Sequence, residues 1–273
     1  MIPSGIYVNK KILSATNNFS TYGINSAGYK AQLLRWHGHV IDIFARRLGK
    51  YQEGEFWMEV SLLSSLKHKN LVSLVGFCDE NDEKIIITKR ETRGSLFKYL
   101  RNPMMLTWVR RLEISVGIAQ ALSYIHYDES RDFSVIHRNI SRYTVLLNDD
   151  WEPKLSHFEY SMKIQASQRH NSFHANTLRI WVNDNHLAPL FIAHYREKKL
   201  DNLINRDLWV QIDLHSFNML AEIAYACLDK ERSRRPNIDD IAPRLEKALQ
   251  LARENRRFPV KCVIYILFIL TPS

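Results

Sequence analysis

Val135-Ile136-His137-Arg138-Asn139-Ile140, followed by Val145-Leu146-Leu147 and then Lys154-Leu155-Ser156-His157-Phe158-Glu159, is the stretch whose reading decides the fold. It lies at the centre of the chain, and the pattern differs on its two sides. Upstream, His39–Arg46, Leu71–Gly76 and Lys84–Thr88 are short, β-branched and strand-like. Between the first two, Phe56, Val60 and Leu63 recur at i, i+4 and i+7, the spacing of an amphipathic helix. Asp79-Glu80-Asn81-Asp82 predicts a hairpin turn before the strand at Lys84. After Gly94 the period becomes helical. Trp108–His126 carries two apolar stripes, a second helix is predicted near Phe217–Leu228, and a third follows Pro236 with Ile238, Ile241, Leu245 and Leu249 facing inward. A strand-rich front and a helical back predict two lobes with a cleft between them.

Composition is consistent with a folded domain of this size. The 273 residues are 45% hydrophobic and 25% charged, which excludes a disordered, collagenous or disulfide-framework chain. Three widely spaced cysteines, Cys78, Cys227 and Cys262, form no metal-binding spacing and point to a reducing compartment. The net charge of +9 is spread over scattered pairs such as Lys89/Arg90 and Arg110/Arg111, without the interleaved aromatics of a nucleic-acid platform. No nucleic-acid partner is therefore expected. The opening residues lack a signal-peptide pattern, and no apolar run reaches the roughly 20 residues of a membrane span. The nearest candidate is the tail at 262–270, CVIYILFIL, behind Arg256, Arg257 and Lys261. Three readings of it stand together: an interfacial anchor, a packed strand or helix, and a terminus that promotes aggregation.

The central stretch resembles the catalytic loop and metal-binding turn of protein kinases, and the chain resembles the kinase domain of plant receptor-like kinases. Ala15-Thr16-Asn17-Asn18-Phe19-Ser20 is similar to their entry segment, and Leu66–Cys78 to the stretch running from their αC helix into the next strand. Arg93-Gly94-Ser95-Leu96 follows the hinge, and Arg235-Pro236 opens the last helix. The resemblance implies an α+β, bilobal protein-kinase-like fold: a β-rich N-lobe over about 12–91 with one αC helix, and a mainly helical, truncated C-lobe over about 92–252. A basic then apolar tail follows at 253–273. Between about 165 and 190 tens of residues are expected to be absent, because neither an A-P-E nor the buried helix after it is found; Leu187-Ala188-Pro189-Leu190 resembles a later part of the C-lobe. Without that glutamate, Arg235 is expected to be rewired.

The same resemblance places the functional positions. The general-base position is Asn139, an amide that cannot accept a proton from a substrate hydroxyl. The metal-ligand positions are Thr144 and His157, and the glycine of the metal-binding turn is Glu159. The phosphate-binding lysine of V-A-I-K is Arg46, which keeps the charge on a larger fork and is expected to pair with Glu59 of the αC helix. The phosphate cover is reduced to Gly23 and Gly28, and the hinge is Lys89, Arg90 and Glu91 behind Thr88. A general base contributes roughly 10²–10⁴ in rate and one electrostatic stabiliser about 10²–10³. Losing base and metal ligands together therefore implies a catalytically impaired pseudokinase that acts as a binding or regulatory module. Weak ATP binding at best is implied, without Mg²⁺. Protein partners such as active receptor kinases are implied, at the cytoplasmic side, with membrane association only indirect or weak through 262–270. Two alternatives remain: an atypical active ATP-dependent Ser/Thr kinase, and a degenerate fragment without function.

Overall fold

A computed structural model describes residues 28–36, 39–80, 83–169 and 187–254. Gly23, the entry segment at 15–20, the 172–183 stretch and the 262–270 tail lie outside the described residues. By packing the chain divides into two units. The first holds residues up to 98 and 120–179, and the second holds 99–119 and 180 onward. Residues 120–169 therefore group with the N-terminal sheet, whereas the motif-based lobes part at 91/92.

In the first unit, β1 (Gly28–Trp36), β2 (His39–Leu48), β3 (Leu74–Glu80) and β4 (Glu83–Lys89) form an antiparallel sheet in the order β1-β2-β4-β3. Alternation along β2 sorts its side chains between the two faces. Ile43 and Ala45 join Cys78, Ile85 and Ile87 on one face. On the other, Leu48 joins Phe77, Ile86 and two residues of the helix α1 (Glu53–Ser65), Phe56 and Val60. Phe44 and Arg46 share Leu48's parity, so they stand on the α1 side of the strand. Helix α1 starts with Glu53 and Glu55 in its first turn, where acids favour the positive helix end. Its buried stripe is Phe56, Val60 and Leu63 as the spacing predicts, with Glu59 buried in the same stripe.

The predicted strand at Leu71–Gly76 begins only at Leu74. Leu71 and Val72 are held by another segment instead: Val72 N–H donates to the Leu155 carbonyl (3.1 Å) and Leu155 N–H to the Asn70 carbonyl (2.8 Å). Asp79 and Glu80 belong to β3 rather than to a turn, and Lys84 binds Asp79 at 2.7 Å. Downstream, β5 (Gly94–Ser95), β7 (Val145–Leu147) and β8 (Pro153–Leu155) form a small sheet, and β6 (Phe133–Ile136) pairs with β9 (Met162–Gln165). Gly94 has φ +72°, and a Cβ there would meet the Lys98 ammonium at 2.7 Å.

The second unit contains the first part of α2 (Trp108–Tyr127), then α3 (Leu187–Arg196), α4 (Arg206–Trp209), α5 (Leu214–Cys227) and α6 (Ile238–Glu254). Its core joins Leu112 and Val116 of α2 to Ile223 of α5 and Leu245 and Leu249 of α6. Trp108 anchors the start of α2 by donating from Nε1 to Ser216 Oγ at 2.9 Å. Helix α3 has no counterpart in the sequence reading; Pro189 sits at its third position, where a missing N–H costs no helical bond. Arg235 donates from Nε to the Asp229 carbonyl at 2.9 Å. No helix among the described residues is long and apolar enough to cross a membrane.

Candidate functional site

The first unit brings β2, α1 and the loop after β8 around one cation. Arg46 projects from β2 and is ion-paired with Glu59 of α1. A second carboxylate, Glu159, reaches the same guanidinium nitrogen at 3.4 Å. Glu59 is 3% exposed and Glu159 8%, so both acids are withdrawn from water. Burial opposes the charge on Arg46, but the two carboxylates outweigh it and hold its pKa above the ordinary value. Glu159 responds in the other direction. Burial pushes its carboxyl up to about 7, Arg46 opposes that shift and Glu59 adds to it. One cation therefore serves two acids, and the second of them is held near the edge of neutrality at physiological pH.

The residues at the family's metal-ligand positions are engaged in loop construction. Thr144 Oγ1 donates to the Asn139 carbonyl at 2.7 Å and accepts from Ser141 N–H at 2.9 Å. Ser156 Oγ donates its single proton to the Thr144 carbonyl at 2.7 Å. The 2.8 Å contact between that oxygen and His157 Nδ1 must then be donated by the imidazole, which fixes His157 as the Nδ1–H tautomer. Burial first and Arg46 second push the His157 pKa down to about 4, so the ring is neutral at pH 7. Its backbone lies at φ +66°, a left-handed conformation uncommon for a side-chain-bearing residue. An Mg²⁺ ion wants oxygen donors in octahedral array. A neutral imidazole and a hydroxyl already bonded within its own loop do not fit it. Among the described residues no group of three His, Cys, Asp or Glu could hold a metal ion.

His137 is part of the frame of this site. Its Nε2–H donates to the Ser156 carbonyl (3.1 Å) while Nδ1 accepts from Asn139 N–H (3.2 Å), a pattern only the neutral ring satisfies. Burial lowers its pKa to about 3. Its ring meets that of Phe158 edge-on at 4.5 Å, and Phe158 is wholly buried.

Thr88 joins Arg46, Glu59 and His157 around a cavity of about 20 Å³, closed in also by Phe44 and Leu146. That is room for roughly one water. The other expected nucleotide-contacting positions are elsewhere. Lys89, Arg90 and Glu91 line a separate cleft of about 290 Å³ with Lys69, Asp149 and Lys154. Part of the hinge backbone is also bonded internally: Lys89 N–H to the Ser73 carbonyl, Arg90 N–H to that of Asp42, and the Glu91 carbonyl to Gly94 N–H. Gly28 opens β1 opposite Arg46 in the strand register. Phe44 was not singled out by the sequence reading, although its position two residues before Arg46 on one strand places both on one face.

With this geometry in view, comparison with known proteins is specific. A family profile described as protein tyrosine and serine/threonine kinase matches residues 39–189, more than half of the chain. A putative receptor-like protein kinase of Arabidopsis thaliana is 28% identical over 88% of this chain and 33% of its own length. The receptor-like protein kinase ANXUR1 of the same plant is 29% identical over 72% of this chain and 28% of its own. FERONIA, another receptor-like protein kinase of that plant, is 28% identical over 90% and 33%. The chain spans about a third of the length of these relatives. An α+β architecture, a profile match across the sheet and the central loops, and the similarity to plant receptor-like kinases lead to one conclusion: this chain belongs to the protein tyrosine and serine/threonine kinase family.

Proposed function

We propose that this chain is a catalytically silent member of its family, a pseudokinase that serves as a binding or regulatory module in signalling. The observation that carries the reading is the Arg46 fork, shared by Glu59 and Glu159 at the position where a kinase keeps a cation for phosphate. The base position is an amide, and the two metal-ligand positions carry a loop-bonded hydroxyl and a neutral imidazole. Each loss lowers the rate by orders of magnitude, and phosphoryl transfer offers little covalent chemistry to compensate. Nucleotide binding is weak at best and independent of Mg²⁺.

The partners proposed are proteins, active receptor kinases among them, met at the cytoplasmic side of a membrane without a direct anchor in the kinase fold. A shortened C-lobe is part of the same reading: the alignment to the first relative runs over 295 positions, whereas 88% of 273 is about 240 residues. The alternative, an atypical active Ser/Thr kinase, draws on the intact cation–glutamate pair between β2 and α1. Incubating the purified chain with radiolabelled ATP and Mg²⁺ or Mn²⁺ separates the two. No transfer to itself or to a generic substrate is expected; transfer that disappears in Arg46→Ala would defeat the silent reading. A chain that unfolds without a cooperative transition would instead indicate a degenerate fragment.

A further inference from the structure

Two side chains near Arg46, Phe44 and Glu159, stand where the family's motifs have small residues. Phe44 is half-buried and lines the same small cavity as Thr88, Leu146 and Arg46. It stands two residues before Arg46, at the position of alanine in V-A-I-K, so an aromatic ring replaces a methyl group. Glu159, which does not itself line that cavity, replaces a glycine and sets its carboxyl group on the Arg46 guanidinium at 3.4 Å. One side chain is apolar and lies on the Thr88 side of the site, and the other is an anion on the cation.

We propose that Phe44 and Glu159 act as a built-in ligand of this cleft, excluding nucleoside di- and triphosphates by filling the base end with a ring and the phosphate end with a carboxylate. The proposal rests on the silent-kinase reading and deepens it, since it names what occupies the site instead of the nucleotide. The space beside Phe44 is small: the cavity it lines with Thr88 and Arg46 holds about 20 Å³, room for roughly one water. Charge supports it independently. A phosphate arriving at Arg46 would have to displace an acid already bonded there, and would then lie beside two buried carboxylates with one guanidinium among them. A cavity that was merely narrow could open by rotation of Phe44, but the Glu159 contact would still compete for the cation.

The test is gain of binding in the full chain, read with ADP as the probe by thermal shift and by fluorescence of a labelled ADP, with and without Mg²⁺. The wild-type chain should show no saturable binding. Phe44→Ala/Glu159→Gly should bind ADP at least about tenfold more tightly than either single variant, and without a requirement for Mg²⁺. If that pair does not fold, Phe44→Val/Glu159→Gln keeps more of the packing and should change in the same direction. A folded double variant with no gain, or wild type binding ADP as tightly as the variant, overturns the proposal and leaves the silent-kinase reading standing. Phosphate transfer by the wild type would overturn that reading instead.

Discussion

Two parts of the first unit meet at Arg46 and have diverged in opposite ways. The frame is a kinase frame in full: β2 and α1 share a core, His137 packs on Phe158, and each polar group of His137 and Ser156 has a partner. The contents of the frame are not. The same loops deliver a neutral imidazole, a hydroxyl bonded to its own loop and a second acid to the positions that the resemblance assigns to metal and phosphate chemistry. Packing and catalysis therefore separate here. A frame is held by burial and by backbone hydrogen bonds, which tolerate exchange of the chemistry-bearing side chains as long as the replacements satisfy each other. Thr144, Ser156 and His157 do so: His157 donates to Ser156, Ser156 to the Thr144 carbonyl, and Thr144 to the Asn139 carbonyl.

The largest expected effect breaks the frame. Phe158 has no exposed surface, so Phe158→Ala should destabilise the chain by about 3–5 kcal/mol. Urea unfolding of wild type and variant measures it. A cost below about 1 kcal/mol would mean that the His137–Phe158 packing is not part of the frame.

Next in size is removal of the shared cation. Arg46→Ala leaves Glu59 and Glu159 buried together without a counter-charge, a defect worth about 3 kcal/mol at pH 7. Arg46→Lys keeps the charge but loses the fork that serves two acids, and should fall between the two. Repeating the unfolding at pH 5 should shrink the Arg46→Ala loss, because the acids can then take up a proton. A loss unchanged by pH would show that packing of the arginine stem dominates.

Much of the frame is legible in the sequence because it is periodic. The α1 stripe at Phe56, Val60 and Leu63, and the α6 stripe at Leu245 and Leu249, follow from spacing alone. The Arg46–Glu59 pair is legible only through family resemblance, since a strand and a helix 13 residues apart do not announce a contact. Three features escaped for different reasons. The β3 start is displaced because Val72 N–H donates to the Leu155 carbonyl and Leu155 N–H to that of Asn70, across some 80 residues of sequence, and no local propensity encodes that. Phe44 reads as one more β-branched-strand neighbour; its effect depends on what lies across the cavity, which is tertiary information. Leu187-Ala188-Pro189-Leu190 is read only as a stretch of the C-lobe, and the structure makes it the start of helix α3, where proline is tolerated.

The pH response sharpens the comparison, because the two buried histidines and the second acid pull in opposite directions. His137 and His157 are held down to about 3 and about 4, so the unfolded chain binds more protons than the folded one below pH 6.5. Their contribution is complete above 6.5 and is lost as pH falls toward those values. Glu159 is raised to about 7, so its contribution is present below about 4.5 and is lost as pH rises to 7. Between pH 4.5 and 6.5 two histidine protons oppose one carboxyl proton, and stability should rise with pH by about 1.4 kcal/mol per unit. In Glu159→Gln the opposing proton is gone, and the slope over that window should roughly double. Equal slopes in the two chains would place Glu159 outside the buried pair.

The smallest expected effect is none, and it tests the contents most directly. Asn139→Asp, Thr144→Asn and His157→Asp together restore a base and two oxygen ligands to the positions the family uses. If loss of those groups were the whole reason for silence, the triple variant would transfer phosphate from Mg·ATP. If the proposed built-in ligand holds, it should not, because Phe44 still stands beside Thr88 and Glu159 beside Arg46. Only when Phe44→Ala and Glu159→Gly are added should the restored groups have a substrate to act on. Transfer by the triple variant alone would show that the cleft opens to nucleotide without those two changes, and that its silence is a matter of missing chemistry rather than of an occupied site.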